Sequence, residues 1–367
     1  MLPLLPFFVQ AQDGGALIAG LLSSFYAFTQ LFTGPIIGSL SDRFGRRPVL
    51  LICLCGTALG YLILGFANSL PLLFLAVLID GLTGGNLTTV YAYIADVTNS
   101  ENRARGMSLV GAAFGLGLMA GPALGGFLSQ YGLYVPAFVA CAIALANIIF
   151  GFFVLPESLP LEKRATKSIA ESFNWMKQFI GLFQQLDIQK LLIAMFLLNL
   201  AFAGLQSNFP LYSNFRFQWN PTQNGYFYLY VGVCAVFIQG FLFGKLQPRF
   251  GEKRLTIFGL SLMAIGLAGM AFAPQAWMLF PAVTIVALGT GTSIPSLTAL
   301  VSLRVAENEQ GRLMGGTQTL LALTNIFGPI IAGISFELIT FSAPYWLGSL
   351  FAIFALIVAR SASHHTE

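Results

Sequence analysis

"GSLSDRFGRRPVLL", residues 38–51, places Asp42, Arg43, Arg46 and Arg47 within six consecutive positions of a chain in which only 9% of residues are charged. Both flanks are uncharged: "ALIAGLLSSFYAFTQLFTGPIIG" leads into the cluster and "PVLLICLCGTALGYLILGF" leads out of it. Two apolar segments joined by a short charged connection form the pattern of a hairpin that crosses a bilayer twice.

The rest of the chain extends this pattern. Hydrophobic residues make up 56% of the 367 positions and mean hydropathy is +0.79, which excludes a water-soluble globule. A hydrocarbon core of about 30 Å takes about 20 helical residues to cross. Runs with no charged residue, or with one inside, predict eleven full spans, at 15–39, 48–67, 70–95, 106–129, 132–155, 189–211, 222–243, 255–273, 276–300, 312–337 and 343–360. Lipid cannot satisfy a bare backbone, and the runs are too long for tilted strands, so the spans are helical.

Charge placement orients them. Of 18 Lys and Arg, 17 fall in alternate connections or at span ends on one side, leaving Arg216 alone on the other. By the positive-inside rule the 38–51 connection is cytoplasmic, and so is the long segment 156–188. Cys53, Cys55, Cys141 and Cys234 all lie inside spans and read as small apolar packing residues with no disulfide framework. "MLPLLPFFVQ" is too short to span and reads as the exit of a helix, so Met1 is expected to be an internal or truncated start. Reading the coding frame upstream for further apolar codons tests that expectation.

The chain repeats itself. "GSLSDRFGRR" at 38–47 returns as "GKLQPRFGEK" at 244–253, an offset of 206, and "GPALGG" at 121–126 returns as "GPIIAG" at 328–333, an offset of 207. Arg105 and Arg312 match at the same offset. Two parallel halves follow, with a helical bundle at 1–156, a charged cytoplasmic linker at 157–188 carrying an interfacial helix around "SFNWMKQFIGLF", a second bundle at 189–361 and a polar tail at 362–367. Six spans in the second half require six in the first, of which one is present only as its last part. Such parallel six-helix repeats are a known transporter architecture.

At the level of motifs, "GSLSDRFGRR" resembles motif A of the major facilitator superfamily, and "GLMAGPALGG" at 117–126 resembles motif C of its drug/proton antiporter branch. "PLLPFF", "AYIADVT", "RARG" and "PES" at 156–158 are similar to tetracycline-efflux-type members. This resemblance implies an all-α membrane protein with the major facilitator fold, its first helix largely missing from this chain. Motif A, in that resemblance, stabilises the outward-facing state. Two departures stand out. Val77 occupies the place of the usual motif B Arg, and Pro248 replaces the Asp in the second copy of motif A.

The residues carry their own chemistry. Asp42 at the cytoplasmic boundary can cap a helix N-terminus emerging from the other half, and Asp96 is a partner for Arg46 or Arg47. Gly38 and Gly45 allow close helix approach and the turn, so Gly38, Asp42, Arg43, Gly45, Arg46, Arg47 and Asp96 read as a conformational latch; simple positive-inside anchoring is the alternative. Gly117, Gly121 and Gly125 recur every four residues, with Pro122 and Gly126 beside them, and line a face that a neighbouring helix can approach, in antiport mechanics or in plain packing. Asp80 lies roughly 15 Å inside its span. A carboxylate so deep must face a cavity, find a partner such as Thr83, or stay protonated, which makes it the proton-coupling candidate.

Amides supply a binding surface. Asn199 and Gln206 are seven apart on one helix, as are Gln318 and Asn325 on another; Asn86, Asn147 and Gln239 add to them. With 35 Phe and 11 Tyr, such a cavity suits a small lipophilic substrate. No catalytic, nucleotide-binding or metal-ligating constellation is present in the sequence, so no cofactor and no nucleic-acid partner are expected, and the tail His pair is read as bland. The expectation is a monomeric, multi-pass plasma (inner) membrane exporter that exchanges small compounds for protons, with both termini cytoplasmic in the full-length form. An uncoupled facilitator or metabolite exporter, and a transport-inactive binding protein, are the alternatives.

Overall fold

A computed structural model describes residues 2–164, 186–305 and 310–362, and every regular element among them is helical. The first half comprises α1 (Leu5–Gln10), α2 (Ala16–Phe44), α3 (Arg46–Phe66), α4 (Leu70–Thr83), α5 (Leu87–Val97), α6 (Ser100–Leu128) and α7 (Val135–Val154). The second comprises α8 (Leu186–Phe217), α9 (Pro221–Phe237), α10 (Phe243–Phe272), α11 (Leu279–Ser302), α12 (Gln310–Leu338) and α13 (Ala343–Ala362). Nine helical stretches among the described residues are long and apolar enough to cross a membrane. One of them, 221–272, covers two of the expected spans, and α6 supplies the remaining one, so all eleven spans correspond to helices. The interfacial helix expected at 172–183 and the His pair of the tail lie outside the described residues.

Sharp reversals of direction depend on glycine. Gly45 separates α2 from α3 at φ +108°, and Gly251, its counterpart 206 positions on, breaks α10 at φ +69°. Both angles lie where side chains are strained, which is why the repeated motif carries glycine there. The span expected at 70–95 is not continuous. A 3-10 turn at Gly84–Asn86 parts α4 from α5, and in it Gly85 presses on the backbone of α2 so closely that a Cβ would lie 2.7 Å from Gly34 Cα. A π-helical turn, Ile238–Leu242, likewise follows α9.

Within the first half α3 packs on α4 and α7, and α2 on α4; within the second, α10 packs on α11 and α13, and α8 on α13. Tyr212, Phe209 and Phe227 anchor the second core, the last two stacked with centroids 4.2 Å apart. Between lipid-immersed helices such fit acts through dispersion rather than exclusion of water. The halves meet along α2 with α12 and α6 with α9. All four cysteines are free thiols.

Candidate functional site

At the basic end, Arg46 is the hub. It is 7% exposed, its Nη1 donates to Asp42 and to Ser41 Oγ (2.8 Å), and its Nε donates to Asp96 Oδ2 at 3.1 Å. Asp42 therefore engages the first residues of α3, not a helix of the other half. Glu157 was legible only as part of "PES" and as a linker charge, yet it completes the cluster: its carboxylate accepts the N–H groups of Arg46 (2.8 Å) and Arg47 (3.3 Å) and so caps the start of α3. Gly45 makes room for it, since a Cβ there would collide with Glu157 Oε2. Ser158 Oγ donates to Asp96 Oδ2 at 3.1 Å and Tyr93 Oη to the Pro156 carbonyl at 3.1 Å, tying 156–158 to α5. Arg47 instead holds the end of α7, donating to the Phe152 carbonyl and lying 5.3 Å from the Phe152 ring. Arg43 is outside the cluster, exposed over the ring of Phe44. Gly38 meets Thr88 at an ordinary 3.5 Å, so it does not require glycine for space.

Asp80 sits in α4 one turn before the Gly84–Asn86 break. It borders a cavity of about 180 Å³ lined by Leu5, Tyr26, Gly60, Tyr61, Leu64, Ala76 and Val77, large enough to admit water. Gly60 of α3 packs directly on it, a Cβ there lying 3.0 Å from Asp80 Cβ, and Thr57 adjoins the carboxylate. Thr83, the expected partner, gives its hydroxyl to the Ile79 carbonyl at 2.8 Å instead. Of the three outcomes open to a deep carboxylate, the structure provides two, a cavity and a hydroxyl partner in Thr57. Tyr26 and Tyr61 were missed because tyrosines are common along these spans and spacing does not single them out.

The end remote from the basic loops is sealed. Gly126 and Gly225 cross backbone to backbone, a Cβ on Gly126 lying 2.6 Å from Gly225 Cα, and Thr222 Oγ1 donates to the Gly126 carbonyl at 2.9 Å. At the repeat-related position Gly333 crosses α2, where a Cβ would lie 2.7 Å from the Ala16 carbonyl. Gln10 to Asn214 (3.1 Å) joins the same ends, and Ser24 Oγ donates to the Ile326 carbonyl (2.6 Å) deeper along the spans. Farther along the spans, at Gly34, Gly117 and Gly121, a Cβ would meet nothing within 4 Å, although the Gly34 backbone is itself met by Gly85. The face expected from Gly117, Gly121 and Gly125 is consequently unfilled at its first two positions, and Gly125 meets only Leu4 of the first half, at 2.9 Å. Close approach falls to Gly126 and to Pro122, whose carbonyl a Cβ on Gly225 would contact at 3.1 Å.

The amides divide. Gln206, Gln239, Gln318 and Asn325 are exposed, and Asn86 is half-buried in the α4–α5 break. Asn199 is buried at 9% and donates to the Met195 carbonyl of its own helix at 2.7 Å. Asn147 is placed elsewhere: it is on α7, which packs on α3 away from the other half, among the exposed side chains of Leu145, Ile149 and Phe150. An apolar span offers no periodic signal of which helix is peripheral, because lipid and helical neighbours are equally greasy.

Two repeated halves of membrane-crossing helices, meeting backbone to backbone at one end and with a carboxylate-bearing cavity inside the first half, define a membrane transporter. The sequence signature of the Major Facilitator Superfamily matches residues 1–273 and 234–366, and the chain belongs to that superfamily. It is 35% identical over 312 residues to the class C tetracycline resistance protein of Escherichia coli, covering 85% of this chain and 78% of that one. To multidrug resistance protein 2 of Bacillus subtilis (strain 168) it is 31% identical over 364 residues, 98% and 88% of the two chains. Among solved structures, the human organic anion transporter MFSD10 (TETRAN) matches with a TM-score of 0.68 at 26% identity, over 97% of this chain and 88% of that one. The nucleoside transporter NupG shares the fold with a TM-score of 0.79 at 14% identity, over 100% and 95%.

Proposed function

We propose that this transporter exports small lipophilic compounds in exchange for protons, by alternating access between its halves. The observation that carries this reading is the closure of one end: backbone crossings at the repeat-related glycines Gly126 and Gly333 bring the halves together at the end remote from the basic loops. With 17 of 18 Lys and Arg on the side opposite this closure, that side is cytoplasmic and the conformation, closed at the other end, is inward-facing. Resistance-protein relatives support a drug-like substrate, Asp80 in its cavity is the proton site, and Asn86, Gln206, Gln239, Gln318 and Asn325 are candidate substrate contacts. The working unit is a monomer in the plasma (inner) membrane, with both termini cytoplasmic in the full-length form. Proteoliposomes loaded at one pH and diluted into another, in the presence of tetracycline and a panel of lipophilic dyes, test the proposal. Gradient-dependent accumulation of at least one compound is expected; substrate flux indifferent to the gradient would overturn proton exchange.

A second reading, export without proton coupling, is favoured by one observation. Val77 lines the Asp80 cavity where this family's motif carries an Arg, so that position offers the carboxylate no cation to exchange partners with. Proton movement on substrate addition separates the two. Any substrate-dependent flux excludes a transport-inactive binding protein.

The cluster of Asp42, Arg46, Asp96 and Glu157 is proposed as a cytoplasmic latch that steadies the ends of α2, α3 and α5 for docking of the second half. Asp42→Asn keeps the shape and removes the charge. Because the Asp42 side chain is 49% exposed, the pair contributes about 1 kcal/mol. It is already formed here, so only the part that strengthens on docking of the second half, less than about a fivefold factor, shifts the balance away from the outward-facing state. Cross-linking between the cytoplasmic ends should fall accordingly while membrane insertion is unchanged. An unaltered state distribution would leave Asp42 as part of a positive-inside anchor.

A further inference from the structure

We infer that Glu337 is the gating residue of the sealed end, holding it shut by capping the first turn of α2 from the opposite half. Helix α2 begins on Gly15, which has no side chain to cap the free N–H groups of the first turn. Glu337, next to last in α12, supplies the missing acceptor across 320 positions of sequence: its Oε1 accepts the Leu17 N–H at 2.8 Å. The carboxylate also meets the positive end of the α2 dipole. Glycine at 15 is what admits it, since a Cβ there would overlap Glu337 Oε1. Pro329, Gly333 and Glu337 recur every four residues on α12 and form one stripe against α2: a Cβ on Gly20 would collide with the Pro329 carbonyl, Gly333 crosses Ala16, and Glu337 reaches Leu17.

The repeat supplies an internal comparison. In the first half the equivalent positions are Pro122 and Gly126 on α6 and Gln130 in the 3-10 turn that follows it, so the acid is absent. There the partner helix α9 caps itself: Asn220 accepts the Gln223 N–H at 2.9 Å and Gln223 returns the bond to the Asn220 N–H at 2.9 Å. When the sealed end opens, α9 carries its cap away intact. Helix α2 loses its own and leaves Glu337 without its donor, so this contact alone of the two ties the helix cap to the closed state.

The inference rests on the alternating-access reading, but its test needs no substrate, so the two can fail separately. The full chain, with Cys53, Cys55, Cys141 and Cys234 replaced and with Gln10→Cys and Asn214→Cys introduced across the seal, is cross-linked in native membranes with a short thiol-specific reagent. Glu337→Ala and Gly15→Ala are each expected to lower the cross-linking rate by about tenfold, the size of a lost helix cap. Asn220→Ala, which removes a cap that does not bridge the halves, should leave it near the parent rate. Parent-like cross-linking in both Glu337→Ala and Gly15→Ala overturns the inference, as does an equal loss in Asn220→Ala.

Discussion

Asp80→Asn is expected to abolish uphill export driven by a pH gradient while leaving substrate binding and substrate exchange in place. Asp80 packs against Gly60 through its Cβ, beside a cavity that admits water, and Asn occupies nearly the same volume, so packing between α3 and α4 is preserved. What is lost is the charge change that ties protonation to the conformational equilibrium. One proton exchanged per substrate sustains about a tenfold accumulation per pH unit, and that factor should fall to one in the variant. Vesicles with an imposed gradient measure it directly. Parent-like, gradient-dependent accumulation in Asp80→Asn would move coupling to another group.

Gly126→Ala is the second substitution with a large expected effect. The new Cβ would lie 2.6 Å from Gly225 Cα and 2.7 Å from the Pro221 carbonyl, both backbone atoms that no rotamer change can move. Separation of α6 from α9 is the only relief, and overpacking of this kind costs about 1–3 kcal/mol. The inward-facing state is destabilised by that amount, so transport should drop by about tenfold or more, with reduced cross-linking between positions 10 and 214. Gly121→Ala is the matched control. It belongs to the same motif, yet its Cβ would meet nothing within 4 Å, and the seal should survive it. Equal behaviour of the two variants would contradict the crossing at Gly126.

Particular residues show how far the sequence reaches. Asp96 could be named as a partner of the arginines because a lone acid at the end of a span needs a cation, and Arg46 is the one that meets it, at 3.1 Å. Glu157 could not be ranked above the other charges of its segment, since capping α3 depends on where the end of α7 lands. Asn147 had the same standing as Gln318 until packing put it on the outer face of α7. Glu337 looked like the polar end of a span. Only its position beside a side-chain-free N-cap 320 residues away gives it a role.

From composition and order alone followed the eleven spans, the helical class, the basic side and the twofold repeat, because lipid imposes length, internal hydrogen bonding and charge asymmetry on every segment separately. Those constraints are local and can be counted along a chain. Which end is closed, which glycine makes the crossing, and which carboxylates meet a cavity or a bare helix terminus were decided by tertiary structure. In a greasy helix the faces turned to lipid and to protein are chemically alike, so only the packing of one helix on another, through contacts of a few ångströms, tells them apart.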